Sequence, residues 1–442
     1  MSPPLSPRSL RSVPKTVGML MLLTLALPLN LGLTVLALLR SAVVKAPIQT
    51  APHPRTVLVS GGKMTKSLQL ARSFHAAGHR VVMVESSKYR FTGHRFSRSV
   101  DRFYTVPKPQ SPDYEQALLS IVHAERIDVY VPVSSPAASY YDALAKPALS
   151  AFCEVLHCEP DMVRTLDDKY EFSMLAASLG LSVPDAHRIS APSQVEEFDF
   201  AGVSDSYILK SIPYDPVNRL DLTALPQPTR LQTATFARSK PITRETPWIM
   251  QALVHGQEYC THSTVRNGRV QAYCCCESSA FQINYQMVHR PEIEAWVQHF
   301  VASLNLTGQV SFDFIETTDG QLYAIECNPR THSAITMFYN HPDLAKAYLD
   351  NDVPVVKPMP TSRPTYWIYH EIWRLFTEPD KVARARIILR GKDAIFDWAD
   401  PLPFLMVHHV HIPWLLLQNL LRFKDWMRID FNIGKLVESD GD

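Results

Sequence analysis

Residues 321–332, QLYAIECNPRTH, decide how the rest of the chain is read. Residues 322–325 make an apolar strand, and the sequence turns polar within one residue. Side chains of an extended chain alternate between faces, so Glu326, Asn328 and Arg330 point the same way. A carboxylate at the end of an apolar strand is costly to bury unless something compensates it. The stretch is therefore either a satisfied ion pair or a place that holds a charged ligand.

Working outward, residues 310–315 (VSFDFI) form a second strand, joined to the first by an Asp319-Gly320 turn. Asp313 on that strand lies thirteen residues before Glu326. In a short hairpin Asp313, Glu326 and Asn328 can converge on one face. Two carboxylates and a carboxamide are hard oxygen ligands suited to Mg²⁺, or to Mn²⁺, with phosphate oxygens and water completing the octahedron. Arg330 can then hold a transferred phosphoryl group. The plainer alternative is a network in which Arg330 neutralises both acids.

The stretch before this hairpin reads as α+β. Residues 162–180 are a pair of short helices carrying LDDKYEF, residues 207–210 (YILK) a strand ending in Lys210, and residues 248–254 (WIMQALV) another strand. A long strand follows Glu258, turning at Asn267-Gly268. Still earlier, residues 55–150 alternate short apolar runs with helical spacing, as a small doubly wound α/β unit does. Its first turn, SGGKMTKS, is neither GxxxxGK[ST] nor GxGxxG, so a nucleotide loop is not expected there. A small organic substrate at the strand ends, near Ser60, Lys63, Thr65 and Lys66, is the better reading.

Composition narrows the class. Lys plus Arg total 44 against 43 Asp plus Glu, with no basic block, which points away from nucleic acid. Seven cysteines without paired CxxC spacing fit neither a disulfide framework nor a zinc site, and suit a reducing compartment. Residues 17–39 carry no charge over 23 positions, enough to cross ~30 Å of hydrocarbon. They read as a membrane anchor, single-pass or monotopic, holding a cytoplasmic catalytic body. Pro28 and Asn30 leave a shallow helical hairpin open. The tail is rich in aromatics and proline, with residues 413–423 an amphipathic helix against the body. Its HHVH run at 408–411 has no acidic partner at ligand spacing and reads as structural. The expected divisions are an anchor and linker at 1–50, an α/β domain at 51–160, a nucleotide-binding domain at 161–350 and an extension at 351–442.

Asp313, Glu326, Asn328 and Arg330 together resemble the metal-binding end of the ATP-grasp superfamily of ligases. That resemblance implies two phosphate-binding lysines, and Lys169 in LDDKYEF and Lys210 in YILK stand at the matching places. It implies a hinge strand whose backbone reads adenine, matched by Gln251, Ala252, Leu253 and Val254, and an acid for the ribose, matched by Glu258. The implied fold is ATP-grasp behind a pre-ATP-grasp α/β domain, with ATP and Mg²⁺ as partners. One departure is the loop after Lys210, SIPYDPVNRLDLTALP, which lacks the usual glycines. Phosphate cover then falls to Ser211, Tyr214 and the backbone, or the lid is stiff.

Within the superfamily, KTVGMLMLLTLALPLN, VSGGKMTKSLQLARSFHAAGHRV, FTGHRFS, DRFYTVPKPQ and SYYDALAKPALS are similar to the cyanobacterial mycosporine-glycine synthetase family. The similarity runs through the DFNIGKLVE tail. It implies ATP-dependent joining of glycine to 4-deoxygadusol through a phosphorylated enol. The alternatives are ligation of an amino acid to another carboxylate through an acyl phosphate, and a non-catalytic ATP-binding membrane scaffold.

Overall fold

The computed structural model describes residues 7–44, 47–133, 135–202, 206–213, 218, 221–278 and 284–438. Helix α1 (Pro7–Val43) is continuous through Pro28, so the hairpin allowed by Pro28 and Asn30 does not form. Asn30 is instead buried against the body, on the same face as Thr34.

The α/β unit follows as β1 (Thr56–Val59), α2 (Thr65–Ala76), β2 (Arg80–Ser86), β3 (Arg102–Val106), α3 (Tyr114–Glu125), β4 (Val129–Val131), α4 (Ser139–Leu149) and β5 (Glu154–Val155). Its strands pair in parallel in the order β3-β2-β1-β4-β5. Val57, Leu58 and Val59 are all fully buried, because helices cover both faces of a parallel sheet. Gly61 makes the turn out of β1 at φ +65°, where a Cβ would meet the Val133 carbonyl oxygen at 2.0 Å. No larger residue fits that approach.

Next come α5 (Pro160–Asp167) and α6 (Lys169–Ser178), the helix pair expected around LDDKYEF. A small antiparallel sheet, ordered β6-β8-β7, is built from β6 (Ala186–Ile189), β7 (Tyr207–Ser211) and β8 (Trp248–Ala252). Helices α7 (Pro192–Glu196) and α8 (Arg230–Arg238) cover it. A larger sheet runs β10-β9-β12-β13, all neighbours antiparallel. Its strands are β9 (Gln257–Arg266), β10 (Arg269–Glu277), β12 (Gly308–Glu316) and β13 (Leu322–Asn328), with β11 (Asn284–Tyr285) and α9 (Pro291–Ser303) inserted after β10. The β9–β10 turn has Asn267 at φ 48° and Gly268 at φ 72°, the two positive values an Asn-Gly hairpin needs. Alternation sorts β12 cleanly. Phe312 and Phe314 pack against Trp296 of α9 at ring distances of 5.2 Å, which turns Asp313 to the opposite face.

After α10 (Leu344–Leu349), the extension adds β14 (Thr365–Tyr366), α11 (Ile368–Thr377), α12 (Lys381–Arg390), β15 (Lys392–Asp393), α13 (Leu402–Met406), α14 (Ile412–Leu421), β16 (Arg428–Asp430) and β17 (Lys435–Val437). β14 bridges β11 and β15, which ties the extension into the middle of the chain. One continuous core includes Val59 and Phe74 of the α/β unit, Ile335 and Tyr348 behind the large sheet, and Trp367, Leu416 and Leu436 of the extension. Of the HHVH histidines, His408 stacks on Tyr369 at 4.3 Å and His411 is fully buried near Tyr89. These rings serve packing.

Candidate active site

β12 and β13 place Asp313 directly opposite Glu326, with Ser311 opposite Asn328. A register shift follows Asp313, where β13 carries one residue more than its partner before Ala324 pairs with Phe314. Such a bulge twists the strand and re-aims the side chains beside it. The Asn328 amide donates to Asp313 Oδ2 at 3.5 Å, and Arg330 donates to Asn328 Oδ1. Arg330 also pairs with Asp167 at 3.2 Å, a residue that sequence reasoning missed.

The LDDKYEF motif is thereby divided into three jobs. Asp167, the last residue of α5, takes Arg330. Asp168 caps α6 by accepting from the amides of Tyr170 and Glu171. Such a cap satisfies two of the orphan donors at a helix start. Lys169, in the first turn of α6, reaches Glu326 at 3.8 Å.

The small sheet faces the large one across the same space. Lys210 Nζ donates to Gln251 Oε1 at 3.3 Å, and Gln251 Nε2 donates to the Ile325 carbonyl at 3.5 Å. Of the hinge residues, Ala252 and Leu253 have their amides engaged by the carbonyls of Asp185 and Ser206, at 2.8 and 2.7 Å. Gln251 is brought into the cluster through its side chain, while Val254 is half-buried beyond the strand end. Glu258 lies on β9 beside Ile315. Its charge is felt by both Lys210 and Asp313.

Electrostatics follow from this crowding. Asp313 is pushed up to about 7, first by burial and then by the Glu326 carboxylate opposite. Burial acts on Glu326 in the same sense, but Lys169, Lys210 and Arg330 prevail and hold it below the usual carboxylate range. Lys210 is lowered by burial, against the pull of Glu326. The two acids are thus unlike. Lys169, Lys210 and Arg330 all favour the Glu326 charge, whereas at Asp313 burial and the neighbouring acids outweigh Arg330 and Lys210. The donor chemistry there, two carboxylates and an amide oxygen, fits a hard divalent cation. Among the described residues no three His, Cys, Asp or Glu side chains gather as a metal centre, so a cation here would depend on two carboxylates and the Asn328 amide.

In the segment after Lys210, Asp221 pairs with Lys240 at 2.5 Å and Asn218 accepts from Lys240 at 3.4 Å, which ties these two residues to the segment after α8. Ser211 donates to the Pro213 carbonyl, and Tyr214 lies outside the described residues.

A second cluster adjoins the first. Lys66 Nζ donates to the Thr331 carbonyl at 2.5 Å, which sets it one residue beyond Arg330. Burial, then Arg330 and Lys63, lowers Lys66 to about 7. Lys63 pairs with Glu85 at 3.5 Å and lies over the Tyr89 ring at 4.2 Å. Ser60 supports the strand end by accepting the Val133 N–H at its Oγ, at 3.0 Å. The C-terminal tail seals this corner. Thr65 N–H donates to the Asn432 carbonyl at 2.9 Å, the Trp367 indole donates to Thr65 Oγ1 at 3.0 Å, and the Asn432 amide donates to Ser333 Oγ at 2.7 Å.

No family model matches this sequence, and no curated protein matches it. Solved structures do resemble it in fold. The ADP complex of PurK, an N5-carboxyaminoimidazole ribonucleotide synthetase, aligns with a TM-score of 0.54 at 14% identity, covering 73% of this chain and 82% of that one. N5-carboxyaminoimidazole synthetase from Staphylococcus aureus, complexed with ADP, gives 0.53 at 16% identity over 70% and 80%. Biotin carboxylase from Campylobacter jejuni, as its β-γ-ATP complex, gives 0.53 at 12% over 67% and 72%. With its facing antiparallel sheets behind a parallel α/β unit, the chain has the ATP-grasp fold.

Proposed function

We propose that this chain is an ATP-dependent carbon–nitrogen ligase that joins glycine to 4-deoxygadusol to give mycosporine-glycine. The observation that carries the ligase reading is the convergence of Lys169, Lys210, Asp313, Glu326, Asn328 and Arg330 between two facing sheets. The choice of substrates rests on the sequence resemblance across the anchor, the SGGKMTKS turn and the tail.

In this reading Asp313, Glu326 and Asn328 hold Mg²⁺, and Glu258 holds the ribose. Bound Mg²⁺ supplies charge neutralisation for the phosphate oxygens. Lys169 and Lys210 would neutralise phosphate charge, and Arg330 would steady the transferred phosphoryl group. The enol oxygen of the cyclohexenone accepts that group, because an enol oxygen leaves poorly until phosphorylated. The glycine amine then bonds to the ring carbon, and phosphate departs with the oxygen. Lys66 and Lys63, near Arg330 and covered by the tail, are the groups that would meet the organic substrate in this reading.

Incubation with ATP, Mg²⁺, glycine and 4-deoxygadusol tests this, with ADP release and product mass as readouts. ADP release that needs both substrates is expected, with loss of turnover in Lys210→Ala and Glu326→Ala. Turnover with other acids in place of 4-deoxygadusol would favour an acyl-phosphate ligase. ATP binding without hydrolysis would favour a scaffold.

A further inference from the structure

Helix α1 is long and apolar enough to cross a membrane, yet one face of it is buried against the body from Thr16 to Ser41. Thr16, Leu23, Asn30 and Ala37 recur every seven residues and are buried, as are Thr34 and Ser41. That spacing is a single stripe on one face. Near the first end, Lys15 Nζ donates to the carbonyls of Trp426 and Met427 at 2.7 and 2.9 Å, and the Trp426 indole donates to Thr16 Oγ1 at 2.9 Å. In the middle, the Asn30 amide donates to the Tyr369 hydroxyl at 2.6 Å and lies 2.8 Å from His409 Nε2. Near the last turn, Arg40 sits 5.2 Å from the Trp398 ring. From Lys15 to Arg40 the helix covers about 38 Å. That exceeds the ~30 Å hydrocarbon layer. A crossing α1 would therefore carry the charged extension into the bilayer with it, which the lipid strongly resists.

The outward face tells where the apolar surface goes. Leu25 and Leu29 are each 77% exposed. Tyr369, which grips Asn30, shares its face of α11 with Trp373 and Phe376, four and seven residues on. Those two are 65% and 74% exposed. The opposite face of α11 is closed by ion pairs, Arg374 and Arg384 meeting the buried Glu371 at 3.4 and 3.6 Å. On α12, exposed Val382 and Leu389 are interleaved with Lys381, Arg386 and Arg390, and residues 381–390 contain no acid. Large apolar side chains beside basic ones mark a surface that lies in the headgroup layer of an anionic membrane.

We propose that α1 lies in the plane of one leaflet rather than across it. Trp373, Phe376, Val382 and Leu389 enter the same leaflet beside it, with Arg386 and Arg390 against anionic headgroups. The inference is independent of the ligase reading.

The test uses the full chain bound to the outside of sealed vesicles of phosphatidylcholine and phosphatidylglycerol. All seven native cysteines are buried, so Pro14→Cys and Val43→Cys each give one exposed thiol at opposite ends of α1. A membrane-impermeant maleimide should label both ends equally, with no gain on vesicle lysis. Labelling of one end only after lysis would overturn the in-plane helix. With brominated lipid, Trp373→Phe should remove roughly half or more of the quenchable tryptophan fluorescence, as expected of an aromatic anchor at the interface. The Arg386→Glu/Arg390→Glu pair should weaken binding to these vesicles about tenfold or more, and leave binding to phosphatidylcholine alone unchanged. Unchanged quenching and unchanged affinity, with a detergent-stable dimer that Trp373→Ser/Phe376→Ser dissolves, would instead make this face a contact between two copies.

Discussion

At the residue scale the site is a balance of like and unlike charges. Asp313 and Glu326 face each other across the hairpin, and the nearby cations prevail over burial at Glu326 but not at Asp313. Removing the Asp313 charge relieves that repulsion. Asp313→Asn should therefore stabilise the metal-free protein at pH 8, by ~1–3 kcal/mol, while lowering ATP-dependent turnover about a hundredfold or more. Thermal unfolding without Mg²⁺ and steady-state kinetics with it would check both halves, and a destabilised variant would count against the charge pairing. Lys66 supplies the pH dependence. Its folded-state value near 7 lies below the ordinary 10.5, so the folded chain binds fewer protons than the unfolded one between those values. For this group stability rises with pH across that window, and below it the full cost of a buried charge remains. An anionic substrate placed beside Lys66 reverses the shift. Its binding at pH 8 should take up a proton, and at pH 6 hardly any, as read by calorimetry in buffers of different ionisation heat.

At the element scale, what could be read in the chain follows from periodicity. Strands β12 and β13, the LDDKYEF helices and the Asn267-Gly268 turn all carry local signals, alternation or turn chemistry, that survive without tertiary context. Asp167 was not legible for a physical reason. Two adjacent aspartates precede Lys169, and only the helix start decides that Asp168 caps while Asp167 pairs with Arg330. The short strands β11, β14 and β15 were equally hidden, since two-residue pairings leave no pattern. Nor did the tail reveal its partner. Between β16 and β17, Gly434 sits at φ +67°, where a Cβ would lie 2.2 Å from the Lys63 carbonyl oxygen. Gly434→Ala should therefore push the tail off the SGGK turn. The expected result is a KM for the organic substrate raised about tenfold or more, with ATP affinity unchanged, because misplacement of a positioning element is felt at the substrate it positions. Equal losses for both substrates would show that the tail supports the whole fold and not this corner.

At the scale of the whole molecule, the apolar N-terminal helix and the extension depend on each other. The charge-free run was plain in the sequence, but its stripe of Thr16, Asn30 and Thr34 had no visible counterpart until the extension supplied Trp426, Tyr369 and His409. A helix dissolved in lipid on all sides gains from replacing a polar residue at its centre with leucine. A helix docked on protein loses instead, because the Tyr369 hydroxyl and His409 are left without Asn30. Such a lost buried contact costs ~1–3 kcal/mol. Asn30→Leu therefore separates the two arrangements by sign. In mild detergent the docked helix predicts a fall in unfolding temperature of a few degrees, followed by tryptophan fluorescence. Lys15→Met should add to that fall nearly independently, since Lys15 and Asn30 lie ~22 Å apart along the helix. An Asn30→Leu protein as stable as the parent, or more so, would mean that α1 does not rest on the extension and that a different face of the molecule meets the membrane.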